Sequence, residues 1–182
     1  MVIFDFQIYH FLLRDIKKIK NKWKAEYSEK IDASIDQLWN LISSPSNLEI
    51  FHPFCKSNSV IKWAEKDSID KLVYLNGLTY FRKFCEWEIK KGYSLFIGEK
   101  NKGQSYVVWE IYEKNSSIFL KISVYPYFLR RFPKIISYLP YKLIVIPALE
   151  AYLKSVIGGI NYHLNNKKIT PKNYFGEHKW FS

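Results

Sequence analysis

Cysteine is scarce in this 182-residue chain, and its scarcity removes whole classes of protein from consideration. Cys55 and Cys85 are the only two, with no CxxC spacing, so the chain encodes neither a disulfide framework nor a paired thiolate metal site. A reduced, cytoplasmic compartment is the expectation. Arginine is nearly as rare. Only four of the 28 basic residues are Arg, so the formal charge of +11 rests on Lys, alongside abundant Asn and Ile. That bias has the character of overall composition rather than of a polyanion site, and no zinc finger or RNP-type aromatic strand accompanies it, so no nucleic-acid partner is expected. Absent too are a GxSxG elbow, a glycine-rich phosphate loop and an HExxH pair, which leaves serine hydrolase, nucleotide-binding and zincin chemistry without support.

Long apolar runs are also missing. The stretch 135–149 is interrupted by Pro140, Lys142 and Pro147 and falls short of the ~20 residues a membrane span needs, so no transmembrane helix is predicted. The opening Met1-Val2-Ile3-Phe4-Asp5-Phe6 has no basic leader, contains Asp5 and precedes no small-residue cleavage site, which argues against a signal peptide. No internal repeat or low-complexity linker divides the chain.

What is present is aromatic and apolar: 18% and 48% of residues respectively, in a length that suits one domain with a continuous core. Residues 1–22 form an N-terminal extension. Within it Phe4, Ile8, Phe11, Leu12, Ile16 and Ile19 recur at helical spacing among Arg14, Lys17, Lys18 and Lys20, an amphipathic basic helix. The domain proper, 23–182, starts with an alternating strand over 23–31. Ser34-Ile35-Asp36-Gln37 has the capping-box form and opens a helix that buries Leu38, Trp39, Leu41 and Ile42 and stops at Pro45. Ser46-Asn47-Leu48-Glu49 repeats the form and opens a shorter helix ending near His52-Pro53. Strands follow at 60–63, 71–75, 79–89, 93–97, 105–112 and 118–125, with hairpin turns at Asn76-Gly77 and Lys91-Gly92. A Pro-rich insertion near 128–147 is expected as short helical pieces. A long helix then occupies 148–165.

Strand, two short helices, about six antiparallel strands and a long terminal helix is the order of an α+β domain. The run Ile31-Asp32-Ala33-Ser34-Ile35-Asp36-Gln37-Leu38-Trp39, Leu48 to Phe54, Tyr152-Leu153 with Val156, Gly159 and Tyr162, and the tail Phe175-Gly176-Glu177-His178-Lys179-Trp180-Phe181-Ser182 together resemble the START-like, SRPBCC superfamily. That superfamily includes polyketide cyclases and lipid-transfer domains. The resemblance implies an α+β, helix-grip fold, a curved antiparallel sheet wrapped around the long helix with an apolar cavity between them, and is more specific for fold than for activity. The N-terminal extension and the Pro-rich insertion depart from the minimal pattern.

For that cavity the expected ligand-binding residues are Trp63, Tyr74, Phe81, Lys83, Trp87 and Trp109 from the strands and Val156 and Gly159 from the helix. Alternation places Ile61, Leu72, Cys85, Val107, Leu120 and Ile122 on the same inward faces. Lys83, in line with Phe81 and Cys85, would anchor a carboxylate or phosphate head group at the mouth. Arg82, Glu86, Glu88 and Glu110 fall on the opposite parity, a solvated, salt-bridged outer face. Gly158 and Gly159 mark a close approach or a bend, because each costs about 1 kcal/mol against Ala in a helix. His52 and Cys55 lack further converging ligands, so neither a metal nor a cofactor is expected.

The function so implied is binding or transport of a hydrophobic small molecule: a lipid, a polyketide or an isoprenoid-like compound. The alternative is a cyclase or dehydratase using acid–base residues such as Tyr74, Lys83 and Glu86 in the same cavity, though no motif ties them together. Peripheral contact with an anionic membrane, at its inner face, would run through Arg14, Lys17, Lys18, Lys20 and the segment Phe128, Arg130, Arg131, Phe132, Lys134.

Overall fold

The computed structural model describes residues 23–127 and 138–182, together with Ile16, Ile19 and Lys20. Seven strands form one antiparallel sheet: β1 (Ala25–Ile31), β2 (Cys55–Lys62), β3 (Ile69–Tyr74), β4 (Thr79–Glu88), β5 (Gly92–Gly98), β6 (Ser105–Lys114) and β7 (Ser117–Tyr125). Their spatial order is β1-β7-β6-β5-β4-β3-β2, a meander from β2 to β7 whose last strand receives β1 alongside it. Helices α1 (Ile35–Ile42) and α2 (Leu48–Phe51) link β1 to β2, and α3 (Ile146–Asn166) follows the sheet.

Local chemistry explains most of these boundaries. At α1 the capping box forms as expected: Gln37 N–H donates to Ser34 Oγ at 3.2 Å and Ser34 N–H to Gln37 Oε1 at 3.0 Å. The second box does not form. Ser46 sits at φ +56°, Asn47 becomes the residue before α2, and its amide donates to the Ile42 carbonyl. Glu49 is thereby released to accept from Asn58 N–H at 2.8 Å, which ties α2 to β2. Strand β2 starts at Cys55, five residues earlier than expected, as an edge strand with two register shifts. Between β6 and β7, Asn115 and Ser116 both have positive φ, the requirement of a two-residue turn that follows sheet twist. Gly92 opens β5 at φ +139°, where a Cβ would lie 2.0 Å from the Trp109 carbonyl oxygen.

The Pro-rich stretch is a correction over 138–147, its remaining residues, 128–137, lying outside the described ones. Tyr138–Asn166 is one unbroken helix of 29 residues, so 138–147 do not form pieces separate from the long helix. Residues Tyr141–Val145 take a wide π turn, with Ile146 N–H donating to the Tyr141 carbonyl, immediately ahead of Pro147. A widened turn is one way for a helix to accommodate a residue that cannot donate. By length and composition this helix would suffice to cross a bilayer, with 33% of its most apolar window buried. Its inner stripe of Leu149, Leu153, Val156, Ile157 and Ile160 belongs to the main core.

The sheet has two distinct faces. The concave one meets α3, and the main core lies there. On the convex face Cys85, Phe96, Tyr106, Val108 and Tyr125 pack with Ile16 and Ile19 of the extension. Those two isoleucines are therefore buried against the sheet. Lys20 is exposed and stands over the Tyr106 ring. The rest of the expected membrane-facing set, Arg14, Lys17, Lys18 and Phe128 through Lys134, lies outside the described residues.

Candidate functional site

A cavity of about 820 Å³ separates the concave face from α3, within the range of small-molecule sites. Leu95, Val107, Trp109, Ile122 and Val124 project from β5, β6 and β7, and Leu149, Leu153 and Val156 descend on them from α3. One end is closed by the C-terminal tail. Asn76 Nδ2 donates to the Trp180 carbonyl at 2.9 Å, and Phe181 stacks on Tyr74 with centroids 4.5 Å apart, so Trp180 and Phe181 complete the wall. The other end reaches solvent, where exposed Lys102, Pro140 and Ile144 line it beside Glu99 and Tyr127.

The closed end carries a buried polar cluster. His52, turned inward after α2, places Nε2 2.7 Å from the Tyr152 hydroxyl, which in turn lies 3.2 Å from the Tyr74 hydroxyl. Phe54 N–H donates to His52 Nδ1 at 3.2 Å. Because Nδ1 accepts, the neutral imidazole must carry its proton on Nε2 and donate to Tyr152. Burial, reinforced by the charges of Arg82 and Lys172, holds the His52 pKa down at about 3. Burial raises the phenols of Tyr74 and Tyr152 above their ordinary range. At neutral pH all three groups are uncharged.

Arg82 also lines the cavity. Its Nε donates to Asp70 Oδ1 at 2.8 Å and its Nη2 to Asp70 Oδ2, with both residues buried and directly opposite in the β3–β4 pair. Asn47 and Asn58 add longer contacts of 3.5 Å to the same Nη2. Bidentate pairing neutralises the guanidinium within the fold. At the mouth Lys102 is similarly paired with Glu99 at 2.8 Å.

Of the residues expected from sequence, Tyr74, Trp109 and Val156 line this cavity. Trp63 and Trp87 lie inside the sheet but stack with Phe84, and Trp87 with Trp39 and Tyr93, as core beyond the cavity. Phe81 and Lys83 are corrections. A bulge between Phe84 and Glu86 reverses the alternation, so extrapolating back from Trp87 assigns the wrong face; Tyr80, Arg82 and Phe84 turn inward while Lys83 is exposed and Cys85 joins the convex cluster. Lys83 therefore anchors nothing in the cavity. Ile61 is likewise exposed. Gly159 is not a lining residue either: a Cβ there would stand 1.9 Å from the Phe51 carbonyl oxygen, so it is the point of contact between α3 and α2. Glu86, on the convex face, accepts from Ser94 Oγ and Tyr106 Oη.

Sequence reasoning missed Arg82, His52, Tyr152 and the tail aromatics as lining groups. The Asn76-Gly77 turn does set Asp70 opposite Arg82, a cross-strand signal that was available. Tyr152 lies one turn from Val156 on the same helix face.

No protein-family model matches this chain, and no curated protein matches its sequence. Solved structures do. DynU16, a protein of the dynemicin biosynthetic locus, aligns with a TM-score of 0.63 and 10% identity over 82% of this chain, which spans only 50% of DynU16. SA2116 from Staphylococcus aureus, of unknown function, gives 0.60 and 12% over 80% of this chain and 94% of its own. An uncharacterised Bacillus thuringiensis protein gives 0.59 and 13% over 79% and 99%. The fold is the helix-grip fold. The helix-grip architecture expected from the sequence is present, a curved antiparallel sheet around a long C-terminal helix.

Proposed function

We propose that this protein binds or carries a hydrophobic small molecule in the cavity between the sheet and α3. The observation that carries the reading is the cavity itself: about 820 Å³ of space walled by Leu, Ile, Val and aromatic side chains, with the buried polar groups His52, Tyr74 and Tyr152 gathered at the closed end. A ligand that buried ~300 Å² of apolar surface there would gain about 7 kcal/mol before the costs of association. Native mass spectrometry on protein isolated from its own cells tests this. A co-purifying apolar compound of a few hundred daltons supports it; a bare chain that also takes up no apolar dye contradicts it.

The convergence of His52, Tyr152 and Tyr74 favours a second reading, a cyclase or dehydratase that moves protons in the same cavity. Electrostatics argue for the carrier. A histidine held near pKa 3 is protonated in roughly one molecule in 10⁴ at pH 7 and is a weak base, while elevated phenols hold their protons. These groups suit hydrogen-bond recognition better than proton transfer. Deuterium uptake at the α-carbon of a bound ketone, faster than in buffer, would reverse that preference.

A carrier must load, and the side chains flanking the mouth favour a bilayer as the source. Leu139, Leu143 and Ile144 are each more than 60% exposed on the turn of helix that borders the opening, with Lys142 among them and a chain charge of +11 behind them. Flotation with anionic vesicles, weakened by salt and by Leu143→Glu, is the expected result. Equal recovery with neutral vesicles would reject membrane loading.

A further inference from the structure

We propose, on the reading that this cavity takes an apolar small molecule, that its ligand is uncharged and presents one hydrogen-bond-accepting oxygen, as in a ketone, aldehyde or ester, to the Tyr74–Tyr152 hydroxyl pair. The first half follows from charge. Among the described residues on the wall, the charged side chains are Arg82, Glu99 and Lys102. Arg82 is held by Asp70, and Lys102 and Glu99 hold each other. A carboxylate or phosphate entering the closed end would meet no unpaired cation among the described residues of the wall and would lose its hydration there, a cost that unpaired buried charges do not recover.

The second half follows from counting protons. His52 Nε2–H, the Tyr152 hydroxyl and the Tyr74 hydroxyl supply three donors, and the chain they form contains two hydrogen bonds. With His52 donating to Tyr152, the simplest order sends the Tyr152 proton to Tyr74 and leaves the Tyr74 proton over. If Tyr74 donates to Tyr152 instead, the Tyr152 proton is the one left. In either order one phenolic O–H remains for a partner, and both tyrosines line the cavity. Burial keeps both phenols protonated, so the surplus is a donor across the physiological range. A buried donor left without a partner is costly, which makes an acceptor on the ligand the feature this end of the cavity selects.

The test uses displacement of N-phenyl-1-naphthylamine, an uncharged apolar dye, by 2-undecanone, undecane and undecanoate at pH 7, with the wild-type chain, Tyr74→Phe, Tyr152→Phe and the double variant. Ketone affinity is expected to fall about three- to tenfold in the double variant while undecane affinity is unchanged or rises. Undecanoate should displace the dye no better than undecane. Comparing each probe with itself across variants removes the difference in its own hydration. Should the variants fail to fold, the infrared carbonyl band of ¹³C-labelled 2-undecanone bound to the wild-type chain decides, because a hydrogen-bonded carbonyl absorbs at lower frequency than one in an alkane solvent. Equal losses for ketone and alkane, a preference for undecanoate, or an unshifted carbonyl band would overturn the proposal while leaving an apolar cavity in place. Failure of the dye and of every probe to bind would overturn the cavity reading itself, and this proposal with it.

Discussion

Two cross-strand ion pairs occupy the same sheet with opposite physical meaning. Asp70 faces Arg82 across β3 and β4, and Glu110 faces Lys121 across β6 and β7. The first pair is on the concave face, with side chains 0% and 3% exposed; the second is on the convex face at 47% and 32%. In sequence both are a carboxylate opposite a cation. What separates them is the side of the sheet that α3 covers. On the concave face, where Asn47 and Asn58 also contact Arg82, the pair is withdrawn from water and Arg82 lines the cavity, whereas on the convex face the pair is exposed and screened.

The sharpest way to break this comparison is to remove one partner from each. Arg82→Met leaves Asp70 buried and alone, and chemical denaturation should show a loss of about 3–5 kcal/mol. Adding Asp70→Leu to that variant should restore much of the loss, because the uncompensated charge is then gone. A loss under 1 kcal/mol from Arg82→Met would mean that Asp70 is reached by water.

His52 sharpens the same contrast through pH. Its folded pKa of about 3 lies below the unfolded value near 6.5, so the unfolded chain binds the extra proton between those limits and stability falls as pH drops through that window. The contribution approaches ~1.4 kcal/mol per pH unit, or about 3 kcal/mol between pH 6.5 and 4. His52→Gln keeps a donor near Tyr152 but cannot titrate, so its stability–pH curve should be flatter than wild type by nearly one proton across that range. Parallel curves would place His52 in contact with solvent.

The two adjacent glycines of α3 give an effect of intermediate size. Gly159→Ala would drive a methyl group into the Phe51 carbonyl, which is backbone and cannot swing away, and is expected to cost about 1–3 kcal/mol. Gly158→Ala meets only the tip of the half-exposed Phe175 ring at 2.8 Å, and the gain in helix propensity should leave thermal stability near or slightly above wild type. Smallest of all, Lys121→Met on the convex face should change stability by less than ~1 kcal/mol and mainly at low salt.

The strand order and the long helix were legible because they rest on local signals: the Ser34 capping box, the turns at Asn76-Gly77 and Lys91-Gly92, and alternation within each strand. The site was less so. One bulge after Phe84 reversed the parity of half of β4, exchanging Lys83 for Arg82, and no composition or period announces a bulge. Pro140 and Pro147 pointed to helix breaks, yet the helix absorbs them around a widened turn. His52, Tyr152 and Tyr74 are up to 100 positions apart, and only the closure of α2 and α3 onto the sheet brings their polar atoms together. Periodicity reports which face a residue takes; it does not report which distant residues share that face's one polar corner.

The central claim, that an apolar molecule enters between the sheet and α3, is tested most directly by quenching. Trp109 and Trp180 line the cavity, while Trp39, Trp63 and Trp87 do not. Titration with 1-bromooctane, an uncharged heavy-atom quencher, should reduce tryptophan emission along a saturable curve in the wild-type chain. That saturable component should disappear in the Trp109→Phe/Trp180→Phe variant. Quenching that rises linearly without saturation, and equally in both proteins, would contradict the account.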